Sequence, residues 1–202
     1  MIRRHRRGDR TTERGQGLVE FAMLVPVFML LLLGLLEFGF VFDHTMTVSY
    51  ATREGARSGA AFAQGNASIP CANIDQNIIA AVQRVLTAPG SLVDRLNVAS
   101  ITIYKANPVT GDGTPAANAS NVWTNDGAGN FQAPGTGTNS NTVQWNACSR
   151  INGVSPDSLG VAIVYNYKFV TPLSAALGFF GPPGGAGLTI RDRTVMALNP
   201  IN

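Results

Sequence analysis

The side chains able to do chemistry are few in this 202-residue chain, and they are unevenly placed. Its two histidines, His5 and His44, both precede residue 45, so the rest of the chain has no imidazole for a nucleophilic triad or a metal site. No Walker loop or well-placed G-x-G-x-x-G occurs. Asp94, Asp112, Asp126 and Asp157 remain as carboxylates for acid and base work, and nothing in their spacing recommends a pair. "GDGT" and "NDGAGN" lack the D-x-[DN]-x-[DN]-G pattern of a calcium loop and read as turns. No catalytic residue, metal or cofactor is expected. What stands out is Glu20 in "RGQGLVEFAMLVPVFML", Arg14 to Leu30, an acid set behind two glycines at the head of an apolar run. A carboxylate there is costly if the run enters a bilayer, so it needs a use.

The charge distribution narrows the classes of partner. The net charge is +3, but residues 1–16 alone carry six arginines against Asp9 and Glu13, which is +4. Residues 43–202 hold nine basic and eight acidic groups and are close to neutral. A nucleic-acid-reading surface needs basic residues clustered on the folded part, and none is evident, so no nucleic acid is expected as a partner.

From Leu18 to Phe42 there are 25 residues with only two charges, Glu20 and Glu37. As a helix they would span roughly 37 Å, more than the roughly 30 Å of a hydrocarbon core. Arginines crowd the N-terminal side, which keeps the first residues in the cytoplasm and exports everything after about residue 43. A cleavable secretory signal is the competing reading, but its apolar core should be only about 7 to 15 residues and should end in a small-x-small site. This run is longer and ends in "EFGFVFDHTM", which favours a single-pass anchor in the bacterial cytoplasmic membrane. Pro26 is expected to kink the helix rather than end it. Glu37, 17 residues after Glu20 and about 25 Å further along the axis, falls near the outer interface and reads as a carboxylate reaching toward water or capped by His44.

The stretch "RGQGLVEFAMLVPVFMLLLLGLLEFGFVFDHTMTVSYATREGARSGA", Arg14 to Ala60, closely resembles the N-terminal region of TadE-like pseudopilins of the tight adherence pilus system. The shared pattern is a basic leader, R-G-x-x-x-V-E-F, a leucine-rich span ending in an E-F-G triplet, and an A-x-R-E-G-A-R segment. The resemblance implies removal of the leader, 1–15, by a prepilin-type peptidase between Gly15 and Gln16, leaving Glu20 and Phe21 as the fifth and sixth residues of the mature chain. It further implies a pilin-like assembly with other pilin or pseudopilin subunits, in which Glu20 meets the new α-amino group of a neighbour. Two charges that are expensive in an apolar medium would then offset one another.

Beyond the span at 16–42, the helical pattern continues to about Ala63. Ala51, Gly55, Gly59 and Ala63 recur every four residues as a small-residue stripe for close packing, either on the chain's own sheet or on another subunit. A second helix is expected from about Asn73 to Leu86, where Ile74, Ile78, Ala81, Val82 and Val85 keep helical spacing and "TAPG" stops it. "VASITIYKA", "VAIVYNYKFV" and "LTIRDRTVMAL" read as strands. The expected class is α+β: a long N-terminal transmembrane helix continuing into an exported domain, 43–202, with a second helix and a three- to four-stranded antiparallel sheet. Residues 106–142, rich in Gly, Asn, Thr and Ser, read as one long polar loop pinned by Trp123 and Phe131.

Cys71 and Cys148, the only cysteines, fall in the region expected to be exported, where an oxidising compartment favours a disulfide. Two functional readings remain. One is a structural subunit for pilus assembly. The other is a membrane-anchored surface-binding module that contacts a partner through the 106–142 loop and the apolar "PLSAALGFF".

Overall fold

The computed structural model describes residues 12–62, 65, 69–172 and 187–199. The element order is α1 (Thr12–Phe62), α2 (Ile74–Leu86), β1 (Val98–Ala106), β2 (Pro115–Asn125), β3 (Phe131–Gln132), β4 (Ser158–Tyr167) and β5 (Leu188–Ala197). The chain divides into two compact units, Met1–Gly39 with Phe169–Gly185, and Phe40–Lys168 with Ala186–Asn202.

In the second unit, one face of α1 is built for close approach. Val48, Ala51, Thr52, Gly55, Ala56, Gly59 and Ala60 are buried, with successive gaps of three and one that return to the same face every four residues, which places them on a single helical stripe. A Cβ on Gly55 would lie 2.6 Å from Val82 Cγ2, and one on Gly59 would lie 2.8 Å from Leu159 Cδ2 and 2.9 Å from Ile78 Cδ1. The stripe therefore packs on the chain's own α2 and β4. Ala63 lies outside the described residues. Arg53 and Arg57 are exposed on the opposite face, where Arg57 makes a solvated pair with Glu54 at 4.0 Å. α2 buries Ile74, Ile78, Ile79, Ala81, Val82 and Leu86 beneath the same sheet, and its backbone bonds end at Thr87 and Ala88, at the "TAPG" expected to stop it.

All strand pairs are antiparallel, in the order β3-β2-β1-β4-β5. Register puts Ile101 opposite Ile163 and Ile103 opposite Val161, so the helix-facing core is β-branched across both central strands. β5 continues this face, but Asp192 and Thr194 interrupt its apolar alternation opposite Ile163 and Val161. Thr52 of α1 answers the interruption: its hydroxyl bonds to Asp192 and lies 3.1 Å from the Thr194 hydroxyl. On the other sheet face the Tyr104 ring lies over Gly160, and its hydroxyl donates to Gly113 O at 2.8 Å. The β1–β2 turn thereby folds over the sheet, with Arg193 donating to Asp112 O at 3.4 Å.

Two expectations are corrected. Among the described residues the sheet has five strands, and 106–142 is not one loop, because β2 and β3 lie within it. Ala, Asn and Ser fill the half-exposed positions of β2 and hide its alternation, yet pairing with β1 from Ser100↔Thr124 to Tyr104↔Ser120 fixes it as a strand. Asparagines hold the chain beyond β2. Asn121 Oδ1 accepts from the N–H groups of Gln144 and Trp145, and its Nδ2 donates to Trp145 O and to Asp75. Asn139 Nδ2 likewise donates to the carbonyls of Val122 and Gln132. Trp123 and Trp145 are buried, and Phe131 is half-buried.

Cys71 and Cys148 form a disulfide with Cα atoms 4.9 Å apart, joining the residues just before α2 to the segment that Asn121 holds. Close by, the buried guanidinium of Arg150 pairs with Asp75 and stacks 4.4 Å from the Trp145 ring. The bridge and the ion pair fasten the same two segments.

Gly55→Ala gains up to about 1 kcal/mol of helix propensity but must displace Val82, and Gly160→Ala must displace Tyr104. Each should destabilise by about 1 to 3 kcal/mol in thermal melts of the detergent-extracted protein, whereas Gly34→Ala, with open space around it, should not. The disulfide closes a 77-residue step, worth roughly 4 to 5 kcal/mol at most, so Cys71→Ser should lower the melting temperature by several degrees. Two alkylatable thiols in the native protein would contradict the bond.

Candidate functional site

The residues singled out at the N-terminus lie together in the first turns of α1. Gly15 and Gln16 are already helical and solvent-facing, and a Cβ on Gly15 or Gly17 would meet nothing within 4 Å. Gln16 Nε2 donates to Glu20 Oε1 at 3.0 Å across one turn, so the uncut chain gives the carboxylate a neutral partner. Phe21, beside it, is 68% exposed.

The helix surface beyond Phe21 is apolar on every side. Met23, Leu24, Phe28, Met29, Leu30, Leu32 and Leu36 are all exposed, and their positions go around the helix rather than along one stripe. A soluble helix hides one face, but from Phe21 to Leu36 this one buries no residue, and it is long and apolar enough to cross a membrane, which makes it a candidate single-pass anchor. Pro26 lies inside it without ending it.

The second acid of the span has a different environment. Glu37 is 2% exposed, and its carboxylate accepts from the N–H of Val170 at 3.0 Å, the N–H of Thr171 at 2.9 Å and the Thr171 hydroxyl at 2.5 Å. These donors are 133 and 134 residues away in sequence, and nothing local in "GLLEFGF" announces them. The available signal was the acid itself, because a carboxylate inside an apolar run demands a partner. His44 is also buried: its Nδ1 lies 2.7 Å from Phe40 O, and its ring packs 4.9 Å from Tyr167 and 5.6 Å from Tyr165.

The titratable groups with shifted affinities do not form an acid–base pair. Hydrogen bonds from the Thr114 and Thr110 hydroxyls and the Thr114 N–H hold Asp112 well below the usual carboxylate range. The Asn130 side chain and the N–H groups of Ala128 and Asn130 do the same for Asp126. Burial pushes the Tyr104 and Tyr165 hydroxyls up. The aspartates stay anionic and the tyrosines neutral near neutral pH, which is the reverse of groups tuned to exchange protons there. A cleft of roughly 270 Å³ at the start of α2 is lined by Asp75, Asn121, Trp123 and Cys148, but Asp75 and Asn121 are bonded to each other, to Arg150 and to the Trp145 backbone. Among the described residues, no group of three or more His, Cys, Asp or Glu is placed to hold a metal ion.

The family described as TadE-like protein matches residues 15–57. No curated protein and no solved structure matches the chain. The match begins at Gly15, takes in Gln16, Glu20 and the whole apolar span, and ends at Arg57, so the likeness to the TadE-like family covers 43 of the 202 residues and lies wholly within α1.

Proposed function

We propose that the chain is a minor pseudopilin: a structural, non-catalytic subunit for tight adherence pilus assembly, held in the bacterial cytoplasmic membrane with its N-terminus inside and its α+β domain exported. A prepilin-type peptidase removes the leader after Gly15. Glu20 then serves as the counter-charge for an α-amino group, and Phe21 packs beside it.

The observation that carries this reading is the position of Glu20, one turn from Gln16 at the head of an all-round apolar helix and inside the segment that matches the family. Cleavage would place a new α-amino group about 6 Å along the axis from the Glu20 carboxylate of the same chain, and a neighbour shifted axially by about that distance would bring its own Glu20 level with the amine. The helix macrodipole favours the acid in this first turn and disfavours the amine, so the amine gains most from an acid contributed by another subunit. Gly15 and Gly17 each weaken the helix by about 1 kcal/mol relative to alanine, which keeps local opening at the cut inexpensive. The arginine-rich leader supports the inside-out orientation.

Loss of one partner from a charge pair in an apolar medium costs about 3 to 5 kcal/mol. Glu20→Ala should therefore leave the protein membrane-inserted and disulfide-bonded, while surface filaments fall at least about a hundredfold. Filament numbers and leader removal unchanged by Glu20→Ala would favour the surface-binding module instead.

A further inference from the structure

Glu37 does more than satisfy itself. Seventeen residues beyond Glu20, it lies about 25 Å along the helix axis, within the outer part of a hydrocarbon core roughly 30 Å thick when Glu20 marks the inner boundary. Backbone that is neither helix nor sheet is tolerated at that depth only where its polar groups have partners. The segment at Phe169–Thr171 has left β4 and belongs to the same compact unit as Glu37. The carboxylate accepts both of its N–H groups at 170 and 171 and the Thr171 hydroxyl. A charge needing donors and a backbone needing acceptors answer each other at one level. Val170, between them in the chain, nevertheless turns its apolar side chain outward at 65% exposure, as do Leu35 and Phe38 of the same unit. The next run of sequence, "LSAALGFF" from Leu173 to Phe180, has a single hydroxyl.

We propose that the exit from β4 at Phe169–Thr171 is a second lipid contact, lying at the headgroup–acyl boundary of the outer leaflet, and that Glu37 is the residue that positions it there. The inference rests on the reading of α1 as a membrane anchor. The partner is the bilayer itself: the exposed groups are apolar, and the polar ones face the helix.

The test uses the full chain in phospholipid nanodiscs. Because the native cysteines are paired, Val170→Cys, Leu31→Cys and Val154→Cys each introduce one reactive thiol for a nitroxide label. Collision with oxygen, which concentrates in acyl chains, is compared with collision with a water-soluble nickel chelate. The expected result is oxygen preference at Val170 intermediate between Leu31 in mid-span and Val154 on the other unit, and a shift at Val170 to the Val154 value in Glu37→Gln. A Val170 label that reads as aqueous while Leu31 reads as lipid overturns the inference and leaves the anchor intact. Aqueous readings at both positions remove the inference together with the membrane reading. Protection of Val170 from both reagents means a protein neighbour and overturns the lipid contact, and no change in Glu37→Gln overturns the role of Glu37.

Discussion

A single uninterrupted helix has to satisfy two surroundings, and most of the structure depends on that constraint. From Leu18 to Leu36, α1 presents apolar side chains in every direction, which water would penalise and lipid would not. From Val48 to Ala60 the same helix narrows to a stripe of alanine, glycine and threonine and lets a sheet and a second helix come within contact of its backbone. Helix propensity disfavours those glycines, so their presence is explained by the packing they allow. The sheet is shaped to the stripe: β-branched residues of β1 and β4 face it, and Thr52 receives the two polar interruptions, Asp192 and Thr194, from β5.

Among the described residues the buried charges are Glu37, Arg150 and Asp157, and each has a partner. Asp75 joins Arg150 to Asn121 beside the disulfide, so the segment at 144–150 is fixed by covalent, ionic and amide contacts together. A buried pair of this kind contributes less to net stability than its geometry suggests, since both ions lose water, but removing one partner alone would be severe. Glu37 is matched by backbone donors, and Glu20 by a neutral amide. Of the two acids in the apolar run, Glu37 accepts from three donors and Glu20 from one neutral amide.

The sequence made the periodic elements legible and obscured those fixed by long-range pairing. α1 and α2 declared themselves through apolar spacing, β1, β4 and β5 through alternation, and the disulfide through the count of two cysteines in a region expected to be exported. β2 did not, because its neighbours in the sheet decide its state, while its own Asn, Ala and Ser residues read as a turn-rich loop. Asn121 was equally hidden: a buried amide standing in for a strand partner looks the same in sequence as any loop asparagine. At the candidate site, Gly15, Gln16, Glu20 and Phe21 were legible as a motif, whereas the donors to Glu37 come from more than a hundred residues away and leave no local trace.

The central claim is that the chain is processed after Gly15, and the most direct measurement is the intact mass of the protein extracted from membranes of cells with and without a prepilin-type peptidase. Processing at that bond predicts a chain beginning at Gln16 only where the peptidase is present. A chain that retains residues 1–15 in cells carrying the enzyme would contradict it.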